Sequence, residues 1–187
     1  IRHESIGGSK FWLLTLDDFS DHAWSHFLKR KSDQVSILIE LVKDLKAKQN
    51  ITVKIIQCDN AGENYSFEKE CKKEGLGITF EYTSPNSPQF NGRVERKFQT
   101  LYTRVRSNLN GAIIPEKMRD LLWAECAATA TLQENMLVKT NYTKSTYEIF
   151  FGKKLEGWQN LHQFGEIGIV SYGPSANKMH LRHQNRG

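Results

Sequence analysis

Apolar positions along this chain fall into short strand-like runs separated by longer stretches with helical spacing. Phe11 to Asp17 (FWLLTLD) is an apolar, aromatic run of strand type that ends in the turn-prone Asp17-Asp18-Phe19-Ser20-Asp21. A second strand is expected from His22 to Leu28, closed by Lys29-Arg30-Lys31, and the two form an antiparallel hairpin. Ser32 is placed as the N-cap of a helix reaching to about Gln49, with Val35, Leu38, Val42 and Leu45 along one face. Thr52 to Cys58 (TVKIIQC) is β-branched and mostly apolar, which predicts a buried strand ended by Asp59-Asn60-Ala61-Gly62. Ser66 is expected to cap a short helix to Glu74 that Gly75 stops, and Ile78 to Thr83 alternates as a strand.

Ser84 to Gly92 carries two prolines and an Asn-Gly, so it reads as a loop before the next helix. That helix puts Val94, Phe98, Leu101, Val105 and Leu109 on one stripe and ends near Gly111. Pro115 opens another, with Met118, Leu122, Cys126, Leu132 and Met136 spaced as a core face, where Cys126 is a small buried hydrophobe. Beyond Gly152 the periodicity thins. Leu161 to Tyr172 leaves room for a strand or two, and the last fifteen residues read as a loose tail. A hairpin entering an αβαβ series predicts a mixed sheet flanked by helices, which makes the fold class α/β.

The 187 residues suit one domain, and 39% hydrophobic with 25% charged residues is a globular composition. No run approaches the roughly eighteen apolar residues of a membrane span, so no membrane partner is expected. The start Ile1-Arg2-His3-Glu4 has no Met and no signal-like apolar stretch, and it reads as a cut from something longer. Three cysteines, Cys58, Cys71 and Cys126, without a Cys-x-x-Cys argue against a disulfide framework or a thiolate zinc site and favour a reducing compartment.

The net charge of +5 is concentrated. Between Asn91 and Asn110 stand Arg93, Arg96, Lys97, Arg104 and Arg106 against Glu95 alone, and Lys178, Arg182 and Arg186 follow Pro174 without an acid. Such clusters suit a polyanion such as nucleic acid, although a solvated basic helix face is as common a meaning. Arg93, Lys97, Thr100 and Arg104 are expected as one polar row beside the apolar stripe.

Candidate chemistry centres on two acids. Asp59 ends a strand, where α/β sheets present ligand-binding side chains, and Glu95 stands in the first turn of a helix, 36 positions later. Carboxylates held in those two places can converge on a hard cation such as Mg²⁺. A turn or cap role for Asp59 is the competing meaning. Asn60 satisfies the backbone after Asp59 or orients its carboxylate. His22, Trp24 and His26 alternate on one strand, and His180 and His183 lie in the tail, without a matching ligand set.

The residues around these acids carry a resemblance. Cys58-Asp-Asn-Ala-Gly-Glu-Asn64, followed by Thr83-Ser-Pro-Asn-Ser-Pro-Gln-Phe-Asn-Gly-Arg-Val-Glu-Arg-Lys97, resembles the integrase core of copia-type retrotransposons within the retroviral-integrase, ribonuclease H-like superfamily. Leu14 to Ser20 (LTLDDFS), Leu122 to Glu125, Thr146 to Lys153 and Leu161 to Gly165 resemble further segments of it in order. The resemblance implies a ribonuclease H-like fold over residues 1–152, with 153–187 as a post-core extension and tail. It implies DNA 3′-end processing and strand transfer, with Asp59 and Glu95 as catalytic, metal-binding carboxylates for Mg²⁺ or Mn²⁺, two ions in the complete site. Gln89, Asn91 and Gly92 correspond to the mobile loop beside the active site. With Asn60, Arg93, Arg96, Lys97 and Arg104 they make up the expected contacts to double-stranded DNA. A homo-oligomer and a nuclear location, after a cytoplasmic particle, are implied as well.

One departure matters. The family's triad is Asp, Asp, Glu, and its first Asp lies on a first strand that is expected to precede Ile1. Asp17 and Asp18 fall in the second-strand segment, where a strand end and hairpin turn account for them. The fragment is therefore expected to be incomplete as an enzyme, and the alternative is a non-enzymatic DNA-binding or oligomerisation module.

Overall fold

A computed structural model of the chain describes residues 3–83, 92–140, 142–157, 159, 161–166 and 168. The hairpin is β1 (Phe11–Leu16) and β2 (Ala23–Leu28), antiparallel with Leu14 opposite Ser25. Its turn is built from side chains. Asp17 Oδ2 accepts from the Ser20 amide at 2.8 Å and from its hydroxyl at 2.7 Å, and Asp21 takes the left-handed φ of 64°.

Helix α1 (Asp33–Gln49) follows, then β3 (Ile55–Cys58), α2 (Gly62–Lys73) and β4 (Thr79–Tyr82). β3 and β4 pair in parallel, Cys58 opposite Tyr82. The remaining helices are α3 (Gly92–Gly111), α4 (Glu116–Arg119), α5 (Trp123–Met136) and α6 (Thr146–Phe151).

The single mixed sheet expected from the strand order resolves into two pairs, one antiparallel and one parallel, without a ladder between them among the described residues. Alternation along β1 nonetheless ties both pairs to a common core. Leu13 packs with Leu38 and Ile39 of α1, with Phe67 and Cys71 of α2, and with Ile56 and Phe80 of the parallel pair. Trp12 points the other way, to Val105, Cys126, Ala127 and Ala130. Helices thus cover both faces, as in an α/β fold. Among the described residues the outer edges of β1 and β3 are unpaired, and β3 is accordingly not the buried strand its composition suggested. Ile55 is 58% exposed.

Three further differences have local causes. α2 starts at Gly62, four residues before Ser66, whose hydroxyl donates back to the Gly62 carbonyl instead of capping. Ser32 likewise makes no side-chain cap; the Asp33 carboxylate accepts from the Arg30 amide in its place. The long helix after Pro115 is broken into α4 and α5, and Met118 and Leu132 are exposed. The true core face of α5 is Trp123, Ala124, Cys126, Ala127 and Ala130. Small residues there let α3 approach closely, so an apolar count that favours Leu and Met misses the seam. Cys126 is fully buried as expected, and burial pushes its thiol up to about 12. Helix α6 is closed by a capping box, Ser145 accepting from the Glu148 amide and donating its own amide to the Glu148 carboxylate. Beyond it, Phe164 packs into the α3–α5 cluster. No strand forms among the described residues of 161–168.

Candidate active site

Asp59 follows directly on β3, and the ladder reaches it. The Thr83 amide donates to the Cys58 carbonyl at 2.9 Å, and Asn60 Nδ2 donates to the Thr83 carbonyl at 3.2 Å. Asn60 therefore satisfies backbone and ties the two strand ends together. The Asp59 carboxylate is asymmetric. Oδ1 accepts from the Ala61 amide at 3.2 Å and from Asn64 Nδ2 at 2.7 Å, while Oδ2 has no partner among the described residues. One oxygen holds the turn and the other faces solvent, so the turn role and the ligand role are compatible. Burial first, then the Asp59 charge, push the neighbouring Cys58 thiol up to about 11, which disfavours the thiolate.

Glu95 lies in the first turn of α3 and is exposed. Trp12 sits against both Phe27 and Phe98, with ring centroids 6.2 Å and 4.7 Å away, and donates to Ser25 Oγ at 2.9 Å. That packing lays the start of α3 across β1. Glu95 consequently borders an open groove of about 360 Å³ lined by Trp12, Leu13, Leu14, Val94, Phe98 and Gln99, along the unpaired edge of β1. No described residue engages its carboxylate. Trp12 packs against the α3–α5 core, while Phe11 is half-buried with the Lys31 ammonium 5.8 Å over its ring.

Two exposed carboxylates with free oxygens offer the donors that Mg²⁺ and Mn²⁺ prefer. Among the described residues, no three His, Cys, Asp or Glu side chains gather as a metal-holding set. Asp17 and Asp18 do not supply the third. Asp17 is spent on the turn, and Asp18 is paired with Arg93 Nη1.

The basic helix is less available than its sequence suggests. Arg93 clamps Asp18 and, at 2.8 Å, Asp21, which Lys139 also pairs. Burial works to raise the Asp21 carboxyl, but Lys139, Lys97 and Arg93 hold it below the usual range. Lys97 is 6% exposed, its ammonium 3.2 Å from Glu134, and Arg104 meets the other oxygen of Glu134 at 2.8 Å. The expected polar row of Arg93, Lys97, Thr100 and Arg104 is corrected at Lys97, which is buried against Glu134; Arg93 and Arg104 stay partly exposed but are paired, with Asp18 and Asp21 of the hairpin turn and with Glu134. Arg96 and Arg106 are the exposed cations of α3 that no described acid pairs. At Gly92 an added Cβ would meet Arg96 Nη1 at 3.2 Å, so the guanidinium lies back over the helix start. Gln89 and Asn91 lie outside the described residues.

Sequence reasoning missed Glu134, Asn64 and Asn135. A signal existed for Glu134, which stands four residues after Ala130 and eleven after Trp123, on the core face. An acid in that phase requires a buried cation. Asn135 caps the edge of β2, accepting from the Ala23 amide at 2.9 Å and donating to its carbonyl at 2.8 Å. Among the described residues, His22 Nδ1 and His26 Nε2 are buried without a hydrogen-bond partner, and His22 stacks on Phe150 at 5.2 Å beside Trp24, Tyr147 and Phe151. His180 and His183 lie outside the described residues. No described helix is long and apolar enough to cross a membrane.

No family model matches the chain. The retrovirus-related Pol polyprotein from transposon TNT 1-94 of Nicotiana tabacum is 33% identical over 129 residues, which is 68% of this chain and 9% of that polyprotein. The chain therefore spans about a tenth of the length of the curated relative it matches. Among solved structures, the catalytic core domain of BIV integrase aligns with a TM-score of 0.53 at 22% identity, covering 74% of this chain and 84% of that one. The HTLV-2 integrase catalytic core domain in complex with magnesium aligns at 0.52 and 18% identity, with the same coverage. A chain of the simian T-cell lymphotropic virus intasome aligns at 0.57 and 19%, covering 88% of this chain and 52% of that one.

Proposed function

This chain belongs to the integrase catalytic-core family of copia-type retrotransposons, with a ribonuclease H-like fold, and on that premise we propose that it is the polynucleotidyl transferase core that processes and joins element DNA. The observation that carries the proposal is the pair of carboxylates with free oxygens, Asp59 at the end of β3 and Glu95 at the start of α3. Divalent ions, if held by these two carboxylates, would supply positive charge to the attacking and leaving oxygens of a phosphodiester. Asp59 would offer Oδ2 to such an ion and keep Oδ1 in its turn. Glu95, beside the groove along β1, would be the second ligand, and Arg96 and Arg106 would contact DNA phosphates without reading sequence. Lys97 and Arg104 act through Glu134, by setting the angle of α3, and not as direct phosphate contacts.

The third carboxylate is assigned to a strand lying between β1 and β3. The support is physical: both strands have an unpaired edge, both pack on α1, and the groove beside Glu95 is apolar along its floor. A strand laid there would pair on both sides and bring an acid beside Asp59 and Glu95. On its own the 187-residue chain is then expected to bind DNA without processing it; the second reading is a non-enzymatic DNA-binding or oligomerisation module on the same fold. The lack of a three-acid set among the described residues favours that reading for the isolated chain. Magnesium use, a multimeric assembly on double-stranded DNA and a nuclear location belong to the same proposal.

The paired-ligand assignment is tested by melting the chain with and without Mn²⁺. A ligand that binds only the folded state raises stability by mass action, about 2.7 kcal/mol at a hundred times its Kd. The shift is expected in the wild type and absent in both Asp59→Asn and Glu95→Gln. An unchanged shift in both variants would refute the pair.

A further inference from the structure

We propose that Asn64 and Gln34 are positioning residues, a hydrogen-bonded relay from α1 through α2 that fixes which oxygen of Asp59 faces a ligand. The inference rests on the metal site proposed above and deepens it. Asn64 Nδ2 donates to Asp59 Oδ1 at 2.7 Å and to the Asp59 carbonyl at 3.2 Å. Gln34 Nε2 donates to Asn64 Oδ1 at 2.8 Å. The Ala61 amide adds a second donor to the same Oδ1 at 3.2 Å.

The polarity of the chain is what gives it a function. An unrestrained carboxylate turns about its last torsion, which is broad and two-fold, and presents either oxygen equally. Here both donors converge on Oδ1, so Oδ2 is left as the ligand oxygen and its direction is set. Asn64 can donate to Asp59 only while its amide is turned one way. An amide can be flipped without changing shape, and its orientation must be inferred from its partners. Asn64 has a partner at each end. Flipped, it would set its carbonyl oxygen against Asp59 Oδ1 and its NH₂ against the Gln34 NH₂, two repulsive contacts in place of two bonds. Asn64 is thus held between the Asp59 carboxylate and Gln34, and in that orientation it holds Oδ1 of Asp59. The anchor is stiff as well, because Gln34 is one residue before Val35, which packs on the Leu38–Ile39–Phe67 core.

Asn64 is also poorly explained as a helix-building residue. It stands in the first turn of α2, and Asn is a mediocre helix former whose side chain competes with the backbone. Its amide reaches back over the helix start to Asp59, which is not the cap of α2; Ala61 is. Partners of this kind, bonded to a ligand and not to the ion, are worth roughly 10–100-fold in metal affinity.

The diagnostic variant is Gln34→Glu, which keeps the length and shape of the side chain. A carboxylate at 34 can only accept, so it draws Asn64 Nδ2 toward itself and turns Asn64 Oδ1 onto Asp59. The experiment measures the Mn²⁺ dissociation constant of the chain by the paramagnetic resonance signal of free Mn²⁺, with the melting temperature in EDTA recorded alongside. Gln34→Glu and Asn64→Ala are expected to weaken binding about tenfold or more, with EDTA melting temperatures close to wild type. Ser66→Ala, further along α2, should leave binding unchanged. Mn²⁺ binding that requires Asp59 but survives both relay variants overturns the relay alone. A wild-type chain that binds no Mn²⁺ overturns the metal site, and the relay's role with it.

Discussion

Replacing Glu134 with Gln should be among the most damaging single-atom changes in this protein. The side chain keeps its shape but loses the charge that two cations share, Lys97 Nζ at 3.2 Å and Arg104 Nη2 at 2.8 Å. Arg104 is partly exposed and can turn to water. Lys97 cannot, because only 5% of its side chain is accessible. Burial already holds its ammonium below the usual lysine range, and Glu134 is the largest influence working the other way.

Removing one partner of a buried pair costs about 3–5 kcal/mol, since the other charge is stranded. A ceiling follows from titration. At neutral pH, a lysine of ordinary pKa near 10.4 sheds its proton at a cost of about 1.4 kcal/mol per pH unit, roughly 5 kcal/mol in all. The loss in Glu134→Gln is therefore expected near 3 kcal/mol and bounded near 5. The sign with pH is distinctive. With its folded pKa depressed further, Lys97 binds fewer protons folded than unfolded, so the variant gains stability as pH rises from neutral toward about 10. The double variant Lys97→Met with Glu134→Gln should recover most of the loss. Urea denaturation at neutral and alkaline pH reads all three. A loss below about 1 kcal/mol, with no alkaline recovery, would refute the buried pair.

His22 offers a second titration. Burial, with a smaller contribution from Lys97, lowers its pKa to about 4, so the folded state refuses a proton that the unfolded state binds below about 6.5. Stability should fall by about 3 kcal/mol between those values on acidification, and His22→Phe should flatten that slope in urea midpoints measured against pH. Asn135→Leu would strand the Ala23 amide and carbonyl at the edge of β2, and a loss of about 2 kcal/mol or more is expected by the same assay. Gly165→Ala should destabilise as well, because φ is +79° and a Cβ would meet Ala112 Cβ at 2.6 Å; near-wild-type melting would deny that this segment docks on the end of α3.

The elements set by local signals were legible in the sequence. The hairpin, α1 and the start of α3 follow from apolar alternation, helical spacing and turn residues, and the Gly75 stop stands in the left-handed region with φ of 64°. Asp59 and Glu95 are weak candidates by position alone, and they are singled out by the resemblance of the motifs around them, Cys58 to Asn64 and Thr83 to Lys97. What the sequence hid depends on partners far along the chain. Lys97 reads as a DNA contact until Glu134, thirty-seven residues on, is seen beneath it. Ala127 and Ala130 read as filler, although their small size is what lets α5 meet α3. Ile55 looks buried by type, and it is exposed on a β3 edge that no strand covers among the described residues. Ser145-Thr-Tyr-Glu148 was a readable capping box, overlooked because the periodic signal beyond it fades.

The central claim is that Asp59 and Glu95 belong to a catalytic site that one further strand completes. It is tested most directly by strand transfer on a labelled duplex end with Mn²⁺, comparing residues 1–187 with a chain to which an acid-bearing strand has been added at the N-terminus. The account predicts joined product from the extended chain alone, abolished by Asp59→Asn and by Glu95→Gln. Robust, Asp59-dependent joining by the 187-residue chain would contradict it, and would mean that a carboxylate already present, Asp17 or Asp18, leaves its turn to complete the site.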